Sequence, residues 1–397
     1  MSEWKEYRFS DFVNINPSVK IPKKQLVSFV EMKDLTDGQR FCKPSQERFL
    51  SGGSRFENGD TLFARITPCL ENGKICQVKG LKNGIGFGST EFHVFRGKSI
   101  ISDSDFVYYL CRWSDVRDHA EKNFDGTSGR QRVPKQAFDD LYLNLPELSE
   151  QKSIASILSS LDDKIDLLHR QNATLEKMAE TLFRQWFVER CPEPVEGEAK
   201  EGWEEVKITD LFEVRDGTHD SPKQKEFGRK LITSKHLSKH SIDFESAYFI
   251  SEEDFDQINK RSKVDTGDIL FSMIGTIGII YLEQYNEIDY VIKNIGLFKT
   301  SQNPLWMCFT VLWLKSDFGN EFIYENRSGS TQEYISLGSL RSIHFSIPSL
   351  EKVEEFNKEI EPLFQKIKSN QIQIRTFAAL RDTLLPKLMS GEVRVNN

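Results

Sequence analysis

The chain has 397 residues, 38 % of them hydrophobic, and a formal net charge of −7; that length and apolar content suit two or three globular cores. Its cysteines (Cys42, Cys69, Cys76, Cys111, Cys191, Cys308) form no Cys-x-x-Cys pair and follow no zinc spacing, which argues against a disulfide or metal framework and for reduced thiols. The first residues lack a signal peptide's apolar core and no run approaches roughly eighteen apolar residues, so a soluble cytoplasmic protein without a membrane span is expected.

Residues 1–148 form a first block of strand-like runs punctuated by Gly, Pro and Asn. Gly59-Asp60-Thr61-Leu62-Phe63 opens one run, and Arg65, Thr67, Asn72 and Lys74 fall in or beside the turn after it. The sharpest loop is Asp125-Gly126-Thr127-Ser128-Gly129-Arg130-Gln131-Arg132-Val133. Its glycines permit close backbone approach, and its side chains supply paired donors and acceptors. Residues 149–190 then read as one long helix, with Ser149 as N-cap and Cys191-Pro192 as the stop. Ile154, Leu158, Leu161, Ile165, Leu168, Leu175, Leu182 and Trp186 recur at steps of three and four, an apolar stripe along one face. The adjacent carboxylates Asp162-Asp163 and Asp139-Asp140 are expected to face solvent.

An acidic linker, 191–202, leads to a second block, 203–348, that repeats the earlier element as Gly267-Asp268-Ile269-Leu270-Phe271. A second helix and tail fill 349–397, with Phe356, Ile360, Leu363, Ile367, Ile374, Phe377, Leu384 and Leu388 on its stripe. Pro362 should bend this helix and Pro386 disturb its last turn. Leu145-Pro146-Glu147-Leu148 to Trp186-Phe187 lines up with Ile347-Pro348-Ser349-Leu350 to Leu388-Met389. The chain is thus an internal pseudo-twofold repeat, and such a built-in pseudo-dimer suits a target that comes in two halves. The two stripes leave water by packing on each other. The expected fold is α/β (α+β): two globular blocks joined by two long antiparallel helices forming a coiled-coil spacer. A helix of about 36 residues is roughly 54 Å long, a span of about fifteen base steps of DNA.

Charge does not by itself predict a nucleic-acid partner. Residues 1–146 carry 22 Lys and Arg against 19 Asp and Glu, a balance of +3, whereas 203–348 carry 16 against 22, a balance of −6. Phosphate attraction depends on local clusters, and so acidic a chain would need a basic partner for much of its grip. No catalytic motif emerges. Asn16-Pro17-Ser18 and Asn303-Pro304-Leu305 lack the second proline of an adenine methyltransferase motif. Gly84-Ile85-Gly86-Phe87-Gly88 precedes a strand-like run and opens no helix, and no Gly-x-x-x-x-Gly-Lys-Ser/Thr loop occurs. The Glu150-Gln151-Lys152 fragment lies at the start of a helix, where chance explains it better than nuclease chemistry. His236 and His240 lack a third ligand for zinc.

The run Asp382-Thr383-Leu384-Leu385-Pro386-Lys387-Leu388-Met389-Ser390-Gly391-Glu392-Val393-Arg394-Val395 resembles the C-terminal signature of specificity subunits of type I restriction–modification systems. Gln151-Lys152-Ser153-Ile154-Ala155 through Glu180-Thr181-Leu182-Phe183-Arg184-Gln185-Trp186-Phe187 is similar to the same family's central helical region, and the order of block and helix is the family's order. The resemblance implies two target-recognition domains, each reading half of an interrupted double-stranded DNA sequence. It implies partners as well: two methyltransferase subunits that bind S-adenosylmethionine and up to two restriction subunits that use ATP, with no cofactor, metal or catalytic site in this chain.

In the first block the expected DNA contacts are Arg65, Thr67, Asn72, Lys74, Ser128, Arg130, Gln131 and Arg132, since arginine suits guanine edges and glutamine suits adenine. In the second they are Thr218, His219, Lys235, Ser272, Thr276, Thr331, Gln332 and Tyr334, from stretches that resemble those of the family's recognition domains. Loops that differ between the blocks predict an asymmetric target. The alternative reading is a coiled-coil scaffold or adaptor without DNA recognition of its own.

Overall fold

The computed structural model describes residues 3–22, 24–127, 129–189, 203–239, 241–330, 332–347 and 349–395; the linker 191–202, Ser128, His240 and Thr331 lie outside them. Two helices dominate, Leu148–Arg184, which passes into a π turn at Gln185–Glu189, and Leu350–Met389. Ser149 sits inside the first helix, its hydroxyl donating to Glu147 Oε1 at 3.0 Å, so it does not fill the expected N-cap position. Pro362 and Pro386 lie on the exposed side of the second helix and neither ends it, although each removes one i→i−4 bond.

The chain divides into two compact units, Met1–His169 with Ile372–Asn397, and Arg170–Gln371. Each takes one block and one end of each long helix. In the first unit, Ile154, Ala155 and Leu158 share a core with Leu385, Leu388 and Met389, and with Phe9, Phe63, Phe95 and Phe138. These four phenylalanines pack with ring centroids 5.0–5.8 Å apart. Each such pair contributes about 0.5–1.5 kcal/mol beyond its buried area. Arg381 donates to Asp162 at 2.7 Å, and the Tyr109 hydroxyl donates to the same carboxylate at 2.6 Å. Asp162 is therefore buried, against the expectation that it faces solvent with its exposed neighbour Asp163. The tail closes on the beginning of the unit. Arg394 forks Glu150 at 2.6 and 2.8 Å, and Trp4 Nε1 donates to the same carboxylate at 3.1 Å, so Glu150 is engaged in structural contacts.

In the second unit Asn370 Nδ2 donates to Asn172 Oδ1 at 2.8 Å, and Phe183 and Phe187 pack on Phe356. Low numbers on one helix meet high numbers on the other in both units, so the pairing is antiparallel. The expected stripe is buried at Ile154, Leu158, Ile165 and Leu168, and at Phe356, Ile360, Ile367 and Leu388. Farther along the first helix Leu182 and Trp186 are only half-buried, and Ala179, Phe183 and Phe187 take the deepest places. An α-helix drifts about 20° per heptad against a 3.5-residue repeat, so five heptads move the buried face by about one residue.

Both blocks fold on one scaffold. In the first, a central sheet runs Val13–Ile15, Phe92–Gly97, Thr61–Ala64, Ile75–Val78, Phe41–Cys42. A second sheet runs Gln46–Phe49, Leu26–Val30, Ile85–Gly88, Ser54–Glu57 with its middle pair parallel. In the second block the central sheet is Val214–Asp216, Ile295–Phe298, Ile269–Ser272, Ile280–Leu282, and the other is Phe249–Ile250, Arg229–Thr233, Tyr290–Lys293, again with a parallel pair. Helices Ser104–Arg112 and Ser114–Lys122 recur as Met307–Lys315 and Asp317–Glu325. The helix Glu252–Ser262 stands in the second block where the first has strand Ser54–Glu57.

The repeated Gly-Asp element belongs to this scaffold. Gly59 and Gly267 adopt φ of +90° and +91°, which favours glycine, and the following aspartates are buried. Asp60 and Asp268 each accept a backbone N–H three residues back at 2.7 Å, from Glu57 and Asp265. Each also meets a cation, Arg96 in the adjacent strand at 2.6 Å in one copy and Lys299 just past the end of the adjacent strand at 2.5 Å in the other.

Candidate nucleic-acid interface

In the first unit the strand Thr61–Ala64 leaves the sheet at Arg65, whose N–H donates to Glu91 O at 3.0 Å while its carbonyl accepts from Val133 N at 2.8 Å. Thr67 N donates to Gln131 O at 3.0 Å, and Gln131 N donates to Thr67 Oγ1 at 3.1 Å. Two segments some sixty positions apart in sequence, the Arg65–Lys74 turn and the 125–132 loop, thus become one surface. The loop is closed by reciprocal backbone bonds between Asp125 and Arg132, 3.0 and 2.8 Å, and Gly126 and Gly129 turn it through positive φ.

The side chains on this surface differ in freedom. Arg130 is exposed with no side-chain partner among the described residues, and Asn72 is exposed as well. Arg132 is held by Glu91: Nε donates to Oε2 at 2.9 Å and Nη2 to Oε1 at 2.8 Å, while Nη1 donates to the Arg130 carbonyl at 3.2 Å. Lys74 turns inward to Met32 O at 2.9 Å, and Thr67 is buried beneath Gln131. Behind the loop lies His93, fully buried, with Nε2 2.8 Å from Val133 O and Nδ1 3.4 Å from Asn16 Nδ2. Burial pushes the imidazole down to about 4, with Arg65 and Lys135 acting in the same direction against the Val133 carbonyl.

The second unit builds the same place with different side chains. Ile335 N donates to Met273 O at 2.9 Å, Ile274 pairs with Tyr334, and Ser328 and Tyr334 exchange two backbone bonds of 2.9 Å. Ser272 is fully buried: it donates to Thr276 O at 2.6 Å and accepts from Ile279 N at 2.7 Å, pinning the turn and presenting no surface. Thr276, Gln332 and Tyr334 are exposed. At the same end of the sheet, where Ser272 pairs with Ile295, the chain enters from Asn294. There His219 sets Nδ1 2.8 Å from Asn294 Oδ1 and Nε2 2.9 Å from Asp216 Oδ2. Thr218 N donates to Ile292 O at 3.0 Å, Lys293 Nζ donates to Ser221 Oγ at 2.5 Å, and Lys235 is exposed beside Ser234, which donates to Asn294 O at 3.1 Å.

These are two matching sheet ends with loops rich in donors and acceptors. The sequence family described as the type I restriction modification DNA specificity domain matches the chain twice, over residues 1–177 and 200–376. The chain belongs to this family. Among similar specificity subunits, HindI of Haemophilus influenzae is 24 % identical, with 99 % of this chain and 100 % of that protein covered. MjaIX of Methanocaldococcus jannaschii is 26 % identical over 74 % of this chain and 69 % of that protein. The solved type I restriction–modification S subunit of M. genitalium covers 97 % of this chain and 96 % of its own at 15 % identity, with a TM-score of 0.49.

Within the two specificity domains, sequence reasoning missed Glu91, Asn294 and Lys293. Glu91 follows Ser89-Thr90 in a short connection with no motif of its own, and Asn294 is marked only by the φ of 52° it adopts between two strands. Their importance comes from partners brought in by the fold, Arg132 for the first and His219 for the second. Among the described residues no cluster of His, Cys, Asp and Glu could hold a metal, and no helix is long and apolar enough to cross a membrane.

Proposed function

We propose that this chain is the DNA specificity subunit of a type I restriction–modification complex and that its two sheet-end surfaces each read one half of an interrupted, asymmetric target. The observation that carries the reading is a shared scaffold ending in unlike loops: Arg130, Gln131 and Arg132 in one copy stand where Gln332 and Tyr334 stand in the other. Phosphate contacts from Lys235, Thr218 and Asn72 set register, and Arg130, Arg132, Gln332 and Tyr334 address base edges. The long helices hold the spacing between half-sites and offer docking surface to partners.

In this reading the chain carries out no chemistry and binds no cofactor. Two methyltransferase subunits bring S-adenosylmethionine, and up to two restriction subunits bring ATP. The balance of −6 over residues 203–348 assigns part of the phosphate grip to those partners. The test is genome-wide adenine methylation in cells carrying the methyltransferase subunit with and without this chain. A new two-part, asymmetric motif that appears only with the chain is the expected result. A folded complex that adds no motif would favour the scaffold reading.

A further inference from the structure

In the first specificity domain, we infer that Glu91 is a specificity-determining positioning residue: it fixes the Arg132 guanidinium as a paired donor for one base pair of one half-site. The inference rests on the DNA-specificity reading above and deepens it.

A guanidinium carries five N–H hydrogens in one plane. Glu91 takes two of them, on Nε and Nη2 at 2.9 and 2.8 Å, and the Arg130 carbonyl takes one from Nη1 at 3.2 Å. Two remain, one on each terminal nitrogen, which is the donor count that the O6 and N7 acceptors of guanine require. An arginine without such a clamp loses side-chain freedom on meeting a base, whereas one already clamped has lost it beforehand. Glu91 is itself fixed. Its carbonyl accepts from Arg65 N at 3.0 Å, and its N–H donates to Ser89 Oγ at 3.1 Å.

The second domain shows that the loop does not need this ion pair to fold. There the same strand connections close with Tyr334 at the place of Arg132 and Asn294 at the place of Glu91. The bonds from Val133 N to Arg65 O and between Asp125 and Arg132 recur as Ile335 N to Met273 O and between Ser328 and Tyr334, while the Asn294 side chain turns to His219, so the clamp serves something particular to the first domain. Arg132 is 43 % exposed at its side chain, enough to reach a ligand while clamped.

The experiment uses the full chain with its methyltransferase partner on a DNA library randomised over the target, comparing wild type, Glu91→Ala, Glu91→Gln and Arg132→Lys by the methylated sequences recovered. Glu91→Ala and Arg132→Lys are expected to lose discrimination by about tenfold at one and the same base pair of one half-site. Glu91→Gln keeps one acceptor and should lose less, and the other half-site should stay unchanged in all three. Unchanged discrimination in Glu91→Ala, with or without tighter binding to all DNA, would overturn the inference and leave Glu91 as a charge mask. Equal weakening of both half-sites would overturn it in favour of a purely structural role. A wild-type complex without any sequence preference would instead overturn the functional reading itself.

Discussion

His93 couples the first recognition surface to acid. It is buried and neutral, its Nε2–H donating to the Val133 carbonyl at the foot of the 125–132 loop, and its imidazole titrates near 4 where an unfolded histidine titrates near 6.5. The folded pKa is depressed, so the unfolded chain takes up a proton first as pH falls. Stability is complete above about pH 6.5 and is lost progressively toward about pH 4. With these two values the loss from this one group is about 1 kcal/mol at about pH 5.5 and about 2–3 kcal/mol at about pH 4.5. The assay is denaturant unfolding of wild type and His93→Gln at about pH 7.5, 5.5 and 4.5, with hydrogen exchange on the strand Phe92–Gly97 reporting the first unit. His93→Gln starts less stable but lacks the titration, so the difference between the two proteins should shrink as pH falls. Other titrating groups are common to both and cancel. A difference that stays constant across the series would refute the assignment.

Arg130→Ala removes an exposed cation whose side chain has no partner among the described residues, so stability should be unchanged within about 0.5 kcal/mol while one half-site weakens or relaxes; motif analysis of methylated DNA checks it. Asp162→Ala leaves the buried Arg381 with the Gly38 carbonyl and its exposed neighbour Asp382 but without its buried counter-charge, at a cost of about 3–5 kcal/mol; pairing it with Arg381→Met should recover most of the loss in thermal unfolding. Asn172→Leu with Asn370→Leu replaces a buried polar pair, in which Asn370 Oδ1 has no hydrogen-bond partner among the described residues, by an apolar contact. Denaturant unfolding should show a gain of about 1 kcal/mol or more, while the gap in the methylated motif becomes less sharply defined, because a buried asparagine pair fixes helix register. Inserting about one heptad into both long helices should lengthen that gap, and an unchanged gap would remove the helices from the spacing role.

Much of this architecture is legible in the sequence because it rests on local signals. The helices follow from a stripe at steps of three and four, and the repeat follows from two Gly-Asp elements and two Pro-led helices. The errors come from side chains whose surroundings are made by distant segments. Asp162 looks like half of a solvated carboxylate pair until Arg381 and Tyr109 are folded against it. Ser272 and Thr276 look alike in a polar turn, yet one hydroxyl is sealed inside the turn and the other is exposed. Lys74, chosen for its place beside a turn, is drawn inward to Met32 O. Glu91 carries no local signal at all, since its role exists only when the 125–132 loop is laid across Arg65–Thr67.

The duplication supplies an internal control that a single domain would lack. What both copies build the same way answers to folding: the glycine at positive φ, the buried aspartate accepting a backbone N–H at 2.7 Å, and a cation in or just past the neighbouring strand. Arginine in one copy and lysine in the other each meet that requirement, as expected where a buried carboxylate needs positive charge and hydrogen bonds. What the copies build differently on the same backbone lies at the sheet ends: Glu91 with Arg132 in one, Asn294 with His219 and an exposed Tyr334 in the other. The scaffold tolerates either set, so folding does not choose between them. The choice is left to whatever each surface meets, and two surfaces that differ on one frame are what a target with two unlike halves requires.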